Sequence, residues 1–197
     1  MRARLAVWAV LVAALGLGAR AAVAQAKGAD PAGALVPAGY GTLRQDEFTV
    51  VLRSGSLLVK VTPLAEAVIR LAAPDTYERL HALAESRRPA AGSGPVELFL
   101  VSFFSYQPDV PFQPEDLQLL HQGRLLRAES VIPLTPGWGR QRLAQQETQS
   151  AVYVFSAGID YELPLVVRYG FEQSDEWARI IQRLEVERAK VRARAAS

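Results

Sequence analysis

The chain predicts a mainly β fold: an antiparallel β-sandwich, immunoglobulin-like or Greek-key, with a short helical insert and a C-terminal α-helix. Three observations predict it. From residue 48 onward, seven or eight short β-branched and aliphatic runs alternate with Gly-, Pro- and Ser-rich turns. Val96 to Ser105 is apolar on both alternating faces, as a strand covered above and below must be. After Ser174 the apolar period changes to that of a helix. With 197 residues, half of them hydrophobic, one core can be buried and one domain is expected. The cysteines and core tryptophan of antibody-type domains are absent, so the architecture is expected without a family.

In chain order, residues 1–26 read as a cleavable signal peptide. Arg2 and Arg4 open it, Leu5 to Leu17 is apolar, and Ala22-Val23-Ala24 or Ala24-Gln25-Ala26 supplies the small-x-small cleavage pattern. Gly16, Gly18 and Arg20 interrupt the run short of a membrane span, and no second stretch of spanning length follows. Residues 27–47 are rich in Gly, Ala and Pro without a hydrophobic period and are expected as a flexible lead-in. The sandwich should occupy 48–173, beginning with a hairpin of Phe48 to Leu52 and Leu57 to Thr62 around Ser54-Gly55-Ser56.

A helical insert is expected near 63–86. Thr62-Pro63 opens one helix with Leu64, Val68 and Leu71 on one side, Pro74 breaks it, and Asp75 with Glu78 starts another carrying Tyr77, Leu80 and Ala84. A strand at Ala67 to Leu71 is the alternative. Arg88 to Pro95 is a loop, and the strand at Val96 to Ser105 leads to a proline-rich corner at Gln107 to Pro114. Short strands follow at Leu117 to His121, Arg124 to Arg127 and Val131 to Leu134, then a polar loop or exposed helix at Gln141 to Gln149. Ala151 to Ser156 and Leu163 to Tyr169 are the last strands. Residues 174–197 form an amphipathic helix and basic tail. Ser174 is placed to cap it, acids stand in its first turn and bases in its last, and Trp177, Ile180, Ile181, Leu184 and Val191 make one stripe. That stripe must pack on the sandwich or on a partner chain.

Composition narrows function. Without cysteine there is no disulfide, thiolate or lipidated cysteine. Loss of Arg2, Arg4 and Arg20 with the leader takes the formal charge from +2 to −1, so the mature body offers no basic face for nucleic acid. Arginine outnumbers lysine 19 to 3 and asparagine is absent, the usage of a GC-rich bacterial coding sequence.

For chemistry, His81 is expected to pair with Glu85 on a helix, and His121 ends a strand beside the Gln122-Gly123 turn. No Gly-x-Ser-x-Gly elbow, Ser-x-x-Lys pair or phosphate loop is present. Asp160 and Glu162, two apart on an extended segment, could share a calcium ion or act as an acid pair; solvated turn residues are the simpler reading.

The residues with the look of a contact surface are Tyr106 and Phe112 around the proline-rich corner, Trp138 between two glycines, and the helix residues Trp177, Ile181 and Leu184. A loop tryptophan can stack on a sugar, anchor a protein contact, or fold back to plug the sandwich. The sequence therefore predicts an exported, periplasmic or secreted, noncatalytic binding module of the bacterial envelope with a protein or carbohydrate partner. It predicts no cofactor, metal or nucleic acid. The alternatives are a structural protein that self-associates through the C-terminal helix and, last, an exported hydrolase.

Overall fold

A computed structural model describes residues 35–89 and 94–197 of the chain; the expected signal peptide and the beginning of the expected lead-in lie outside the described residues. The described residues form a mainly β structure with eleven strands in antiparallel sheets and three α-helices.

The strands are β1 (Val50–Ser54), β2 (Leu57–Pro63), β3 (Val96–Ser105), β4 (Val110–Pro111), β5 (Leu117–His121), β6 (Arg124–Arg127), β7 (Ser130–Pro133), β8 (Arg142–Leu143), β9 (Thr148–Ser156), β10 (Leu165–Tyr169) and β11 (Glu172–Ser174). The helices are α1 (Glu66–Ile69), α2 (Pro74–Arg87) and α3 (Trp177–Ala195). One sheet has the order β1-β2-β3-β9-β7, a second β11-β10-β5-β6, and β4 pairs with β8 apart from both.

The apolar run expected to be central is the middle strand, β3, because its alternate residues Phe99, Val101 and Phe103 are all buried while its ladder is filled on both sides. Those residues face the second sheet: the Phe103 ring lies 5.5 Å from that of Tyr169 on β10. The Tyr153 hydroxyl on β9 donates to the Pro114 carbonyl, which leads into β5. The core is thus sheet-on-sheet burial of period-two residues.

Turn chemistry sets two hairpins. Gly55 at φ 57° lets β1 close on β2 with Ser54 opposite Leu57, and Gln122 and Gly123, both at positive φ, join β5 to β6.

Several expected boundaries move, each for a physical reason. Thr62-Pro63 ends β2 instead of opening a helix: Pro63 still sits opposite Phe99, and the Leu64 N–H continues the ladder to the Leu98 carbonyl. α1 is therefore a single turn. Pro74 does not break a helix but takes the first position of α2, where its missing N–H costs nothing. Gln141 to Gln149 is neither loop nor helix throughout, since β8 and the start of β9 come from it. Ser174 is the last residue of β11, opposite Val167, and accepts from the Glu176 N–H; helix α3 starts at Trp177.

Residues 35–47, expected to be flexible, are packed. Val36 and Leu43 are buried, the Leu43 N–H donates to the Leu71 carbonyl and the Ala73 N–H to the Leu43 carbonyl. Glu187 on α3 ties this segment down, its Oε1 accepting from the Thr42 N–H at 3.0 Å, the Thr42 hydroxyl at 2.9 Å and Arg194 at 2.9 Å. Burial pushes the Glu187 carboxyl up, but these donors outweigh it and its pKa lies below the ordinary value.

Helix α3 packs on its own domain. Trp177, Ile180, Leu184 and Val191 are buried, and the Trp177 indole donates to the Tyr161 carbonyl at 3.2 Å. Glu176, just before the helix, accepts the free N–H of Val51 on the edge strand β1, blocking one pairing position of that edge. No helix of the described residues is long and apolar enough to cross a membrane.

Candidate functional site

Six side chains stood out from sequence as contact residues, and the fold separates them. Trp138 is 7% exposed. Its ring lies 5.2 Å from Phe112, 5.8 Å from Phe103 and 6.4 Å from Tyr153, so it plugs the end of the sandwich. Phe112 is part of that plug, stacked on Phe103 at 4.8 Å. Trp177 and Leu184 are buried and Ile181 half-buried under α3. A side chain already packed in the core has little area to offer a partner. Trp138, Phe112, Trp177 and Leu184 thus lie in the core and not on the surface, because the apolar faces that made them conspicuous are filled by the protein itself, while Ile181 sits at the margin. Tyr106 alone stands out, 64% exposed and braced edge-to-face by Phe104 at 4.6 Å.

Tyr106 begins a corner whose other parts the sequence did not connect. The end of β3 is tied to the loop before β9 by the Gln146 N–H donating to the Ser105 carbonyl at 2.8 Å. The pairing of β4 with β8 brings Val110 opposite Leu143 and Pro111 opposite Arg142. Between the two segments lies an open cleft of about 600 Å³, with Pro108 and Asp109 on one wall and Arg140, Arg142 and Gln145 on the other.

Both arginines of the cleft are held. Asp109 receives a two-pronged bond from Arg142, Nε to Oδ1 and Nη2 to Oδ2, each 2.6 Å. The hydrogen bond from Arg142 holds the Asp109 carboxyl below its ordinary pKa. Arg140 donates to Glu147 at 2.9 Å. Glu147 also accepts from the Ala144 N–H and the Gln149 amide, and with the Ala144 bond as the largest cause its pKa is lowered.

Gln149 is wholly buried, opposite Phe103 in the ladder, and its own Oε1 has no partner. A chain of contacts thus runs from the core amide through Glu147 to the guanidinium at the cleft. Gly137 makes room for it: a Cβ there would lie 2.6 Å from Arg140 Nη2 and 2.9 Å from Gln149 Nε2.

Nothing local in the sequence joins these residues, because Gln149 closes the polar run Gln141 to Gln149, which has no strand period. The available signal was its position two residues before Ala151, on the inward alternation of β9.

The other polar candidates are accounted for structurally. His121 is buried, accepting the Asp160 N–H at Nε2 and using Nδ1 toward the Pro164 carbonyl, which places its proton on Nδ1. His81 pairs with Glu66 at 2.6 Å, not with Glu85, and stacks on Tyr77 at 5.3 Å. Burial raises the Glu66 carboxyl, but the bonds from Arg70 and His81 bring it below its ordinary pKa.

Asp160 and Glu162 do not share a site. Asp160 Oδ1 accepts the Glu162 N–H within a turn, and the Glu162 carboxylate pairs with Arg188 at 2.9 Å. No group of three or more metal-ligating side chains occurs among the described residues.

At the sandwich end near Trp177, Glu97 accepts the Tyr161 hydroxyl at 2.8 Å, and burial raises its carboxyl pKa. Comparison with known proteins gives no relative: no family model, curated protein or solved structure matches this chain.

Proposed function

We propose that the protein is an exported binding module of the bacterial envelope, periplasmic or secreted, which engages its partner at the corner formed by Tyr106 and the adjoining cleft without turning it over. One observation carries the reading. Of the six conspicuous side chains Tyr106 is the one largely exposed, and it stands beside the point where the end of β3 is tied to the loop before β9, braced by Phe104. Recognition sites gather on loops held by a rigid scaffold, and an aromatic with an apolar body and a polar tip is suited to them. The export signal read at residues 1–26 supplies the location.

The assembly reading loses much of its motive, because the apolar stripe of α3 is spent on its own domain.

The test is sedimentation of the purified mature protein with isolated cell envelopes. Tyr106→Ala should abolish co-sedimentation. Phe171→Ser, at a still more exposed aromatic on the β10–β11 hairpin, should preserve it. Equal behaviour of the two variants, or no sedimentation of the parent protein, would overturn the proposal.

A further inference from the structure

We infer that the cleft between Pro108-Asp109 and Arg140–Gln145 is a carboxylate-binding subsite, and that its ligand is an acidic glycan strand bearing uronic-acid carboxylates. The inference rests on the binding-module reading and names the ligand class.

Three observations point to a carboxylate. Arg140 and Arg142 both line the cleft, and each already holds one: Glu147 for Arg140, Asp109 for Arg142. The planar Arg142 fork is oriented for two parallel bonds, the geometry that selects a carboxylate over a point charge. Arg140 makes one side-chain bond among the described residues, leaving its other donors for a ligand, yet it is not free to wander. Glu147 fixes it, Gln149 fixes Glu147 from inside the core, and Gly137 admits the arrangement by having no side chain. A guanidinium positioned from the interior is what a recognition site requires, and an ordinary surface arginine lacks it.

The shape and the neighbouring aromatic select a glycan. The cleft is open, suiting an extended hydrated chain passing across it better than an enclosed small molecule. Tyr106 stands two residues before Pro108, with its ring exposed and braced, and a flat aromatic of that kind offers a sugar ring a stacking surface. An acidic peptide would use the arginines and gain less from the tyrosine.

Asp109 gives the proposal its sharpest consequence. It is exposed, sits at φ 60°, lines the cleft and occupies the Arg142 fork. It is therefore a built-in competitor, exchanged for the ligand carboxylate on binding. Removing its charge should strengthen binding, whereas a purely structural ion pair would show the opposite sign.

The experiment is calorimetric titration of the mature protein with oligogalacturonate, its methyl ester and poly-glutamate of matched length. Oligogalacturonate should bind, with affinity falling as salt rises, and the ester should not. Arg140→Ala should weaken binding about tenfold, the weight of one charge-assisted hydrogen bond. Tyr106→Ala should weaken it by a similar factor, and Asp109→Asn should tighten it several-fold.

Binding of the ester as strong as that of the acid, or weakening by Asp109→Asn, would overturn the subsite. Poly-glutamate binding as tightly as the uronate, with no effect of Tyr106→Ala, would make the partner an acidic peptide and overturn the glycan assignment. If no probe binds while the Tyr106→Ala envelope result holds, the ligand class fails and the binding-module reading stands. Failure of both removes both.

Discussion

Replacing Trp138 by alanine separates a core residue from a contact residue. The ring is 7% exposed and touches Phe103, Phe112 and Tyr153, so truncation removes the plug at one end of the sandwich. An aromatic of this class buries about 150–250 Å², which at about 25 cal/mol per Å² corresponds to roughly 4 to 6 kcal/mol as an upper estimate. Measured tryptophan truncations run at about 3–5 kcal/mol once partial collapse of the cavity is included. Urea denaturation followed by fluorescence suits the variant, because Trp177 remains as a buried reporter. With an m-value near 2 kcal/mol per molar for a domain of this size, the midpoint should fall by about 1.5 to 2.5 M. Tyr106→Ala is the control: its exposed side chain should move stability by no more than about 0.5 kcal/mol. If Trp138→Ala shifts the midpoint no further than Tyr106→Ala does, the plug is refuted and the tryptophan belongs to the surface after all.

Gly41→Ala should destabilise strongly, because a Cβ there overlaps the backbone carbonyl of Leu71, which cannot step aside. Losing the two Leu43 backbone bonds and the burial of Leu43 comes to about 2.5 to 6 kcal/mol, while Gly139→Ala, in open space, should be near neutral in the same melt. Glu187 has a folded pKa below the ordinary 4.5, so its contribution is present above about that pH and is lost as pH falls through the depressed folded value. Glu187→Gln should therefore flatten the acid limb of the stability profile, and an unchanged limb would contradict the assigned bonds. Glu97 has the opposite sign, since burial raises its pKa: its contribution is complete below 4.5 and declines as pH rises through the folded value. Glu97→Gln, which can still accept from Tyr161, should gain stability relative to the parent as pH rises to 7; a constant difference across that range would contradict the raised pKa.

What the sequence revealed followed periodicity, and what it hid followed direction. β3 and the β1–β2 hairpin were legible because alternation and turn glycine act over a few residues, and α3 because its stripe repeats over about four turns. Pro63 and Pro74 were misread because a proline excludes a donor without saying whether it ends a strand or begins a helix; the Leu64–Leu98 ladder bond decided the first case. Trp138 was ambiguous for a different reason. A large side chain between glycines has the same local sequence whether it points outward or folds back, and only the space left between Phe103 and Tyr153 settles it. Glu187 was readable in principle. It falls at the stripe interval between Leu184 and Val191, where a buried acid demands partners, but Thr42 lies 145 residues away and no local rule could name it.

The same plug that removes Trp138 from the surface connects the core to the proposed site. Trp138 and Arg140 belong to one 3-10 turn, which the Gln141 N–H closes back onto the Trp138 carbonyl. The buried ring therefore sets the starting point of the arginine. The Gln149–Glu147 chain sets its end, and Gln149 is itself opposite Phe103, a ring of the plug. Arg140 is thus fixed at both backbone and guanidinium by residues that pack on one aromatic. A ligand arriving at the cleft meets a donor already oriented, so less side-chain entropy is lost on binding than a free surface arginine would lose. On this argument the interior tryptophan acts on recognition through Arg140, and the surface role first read into its exposed-looking loop passes to the residue two positions along.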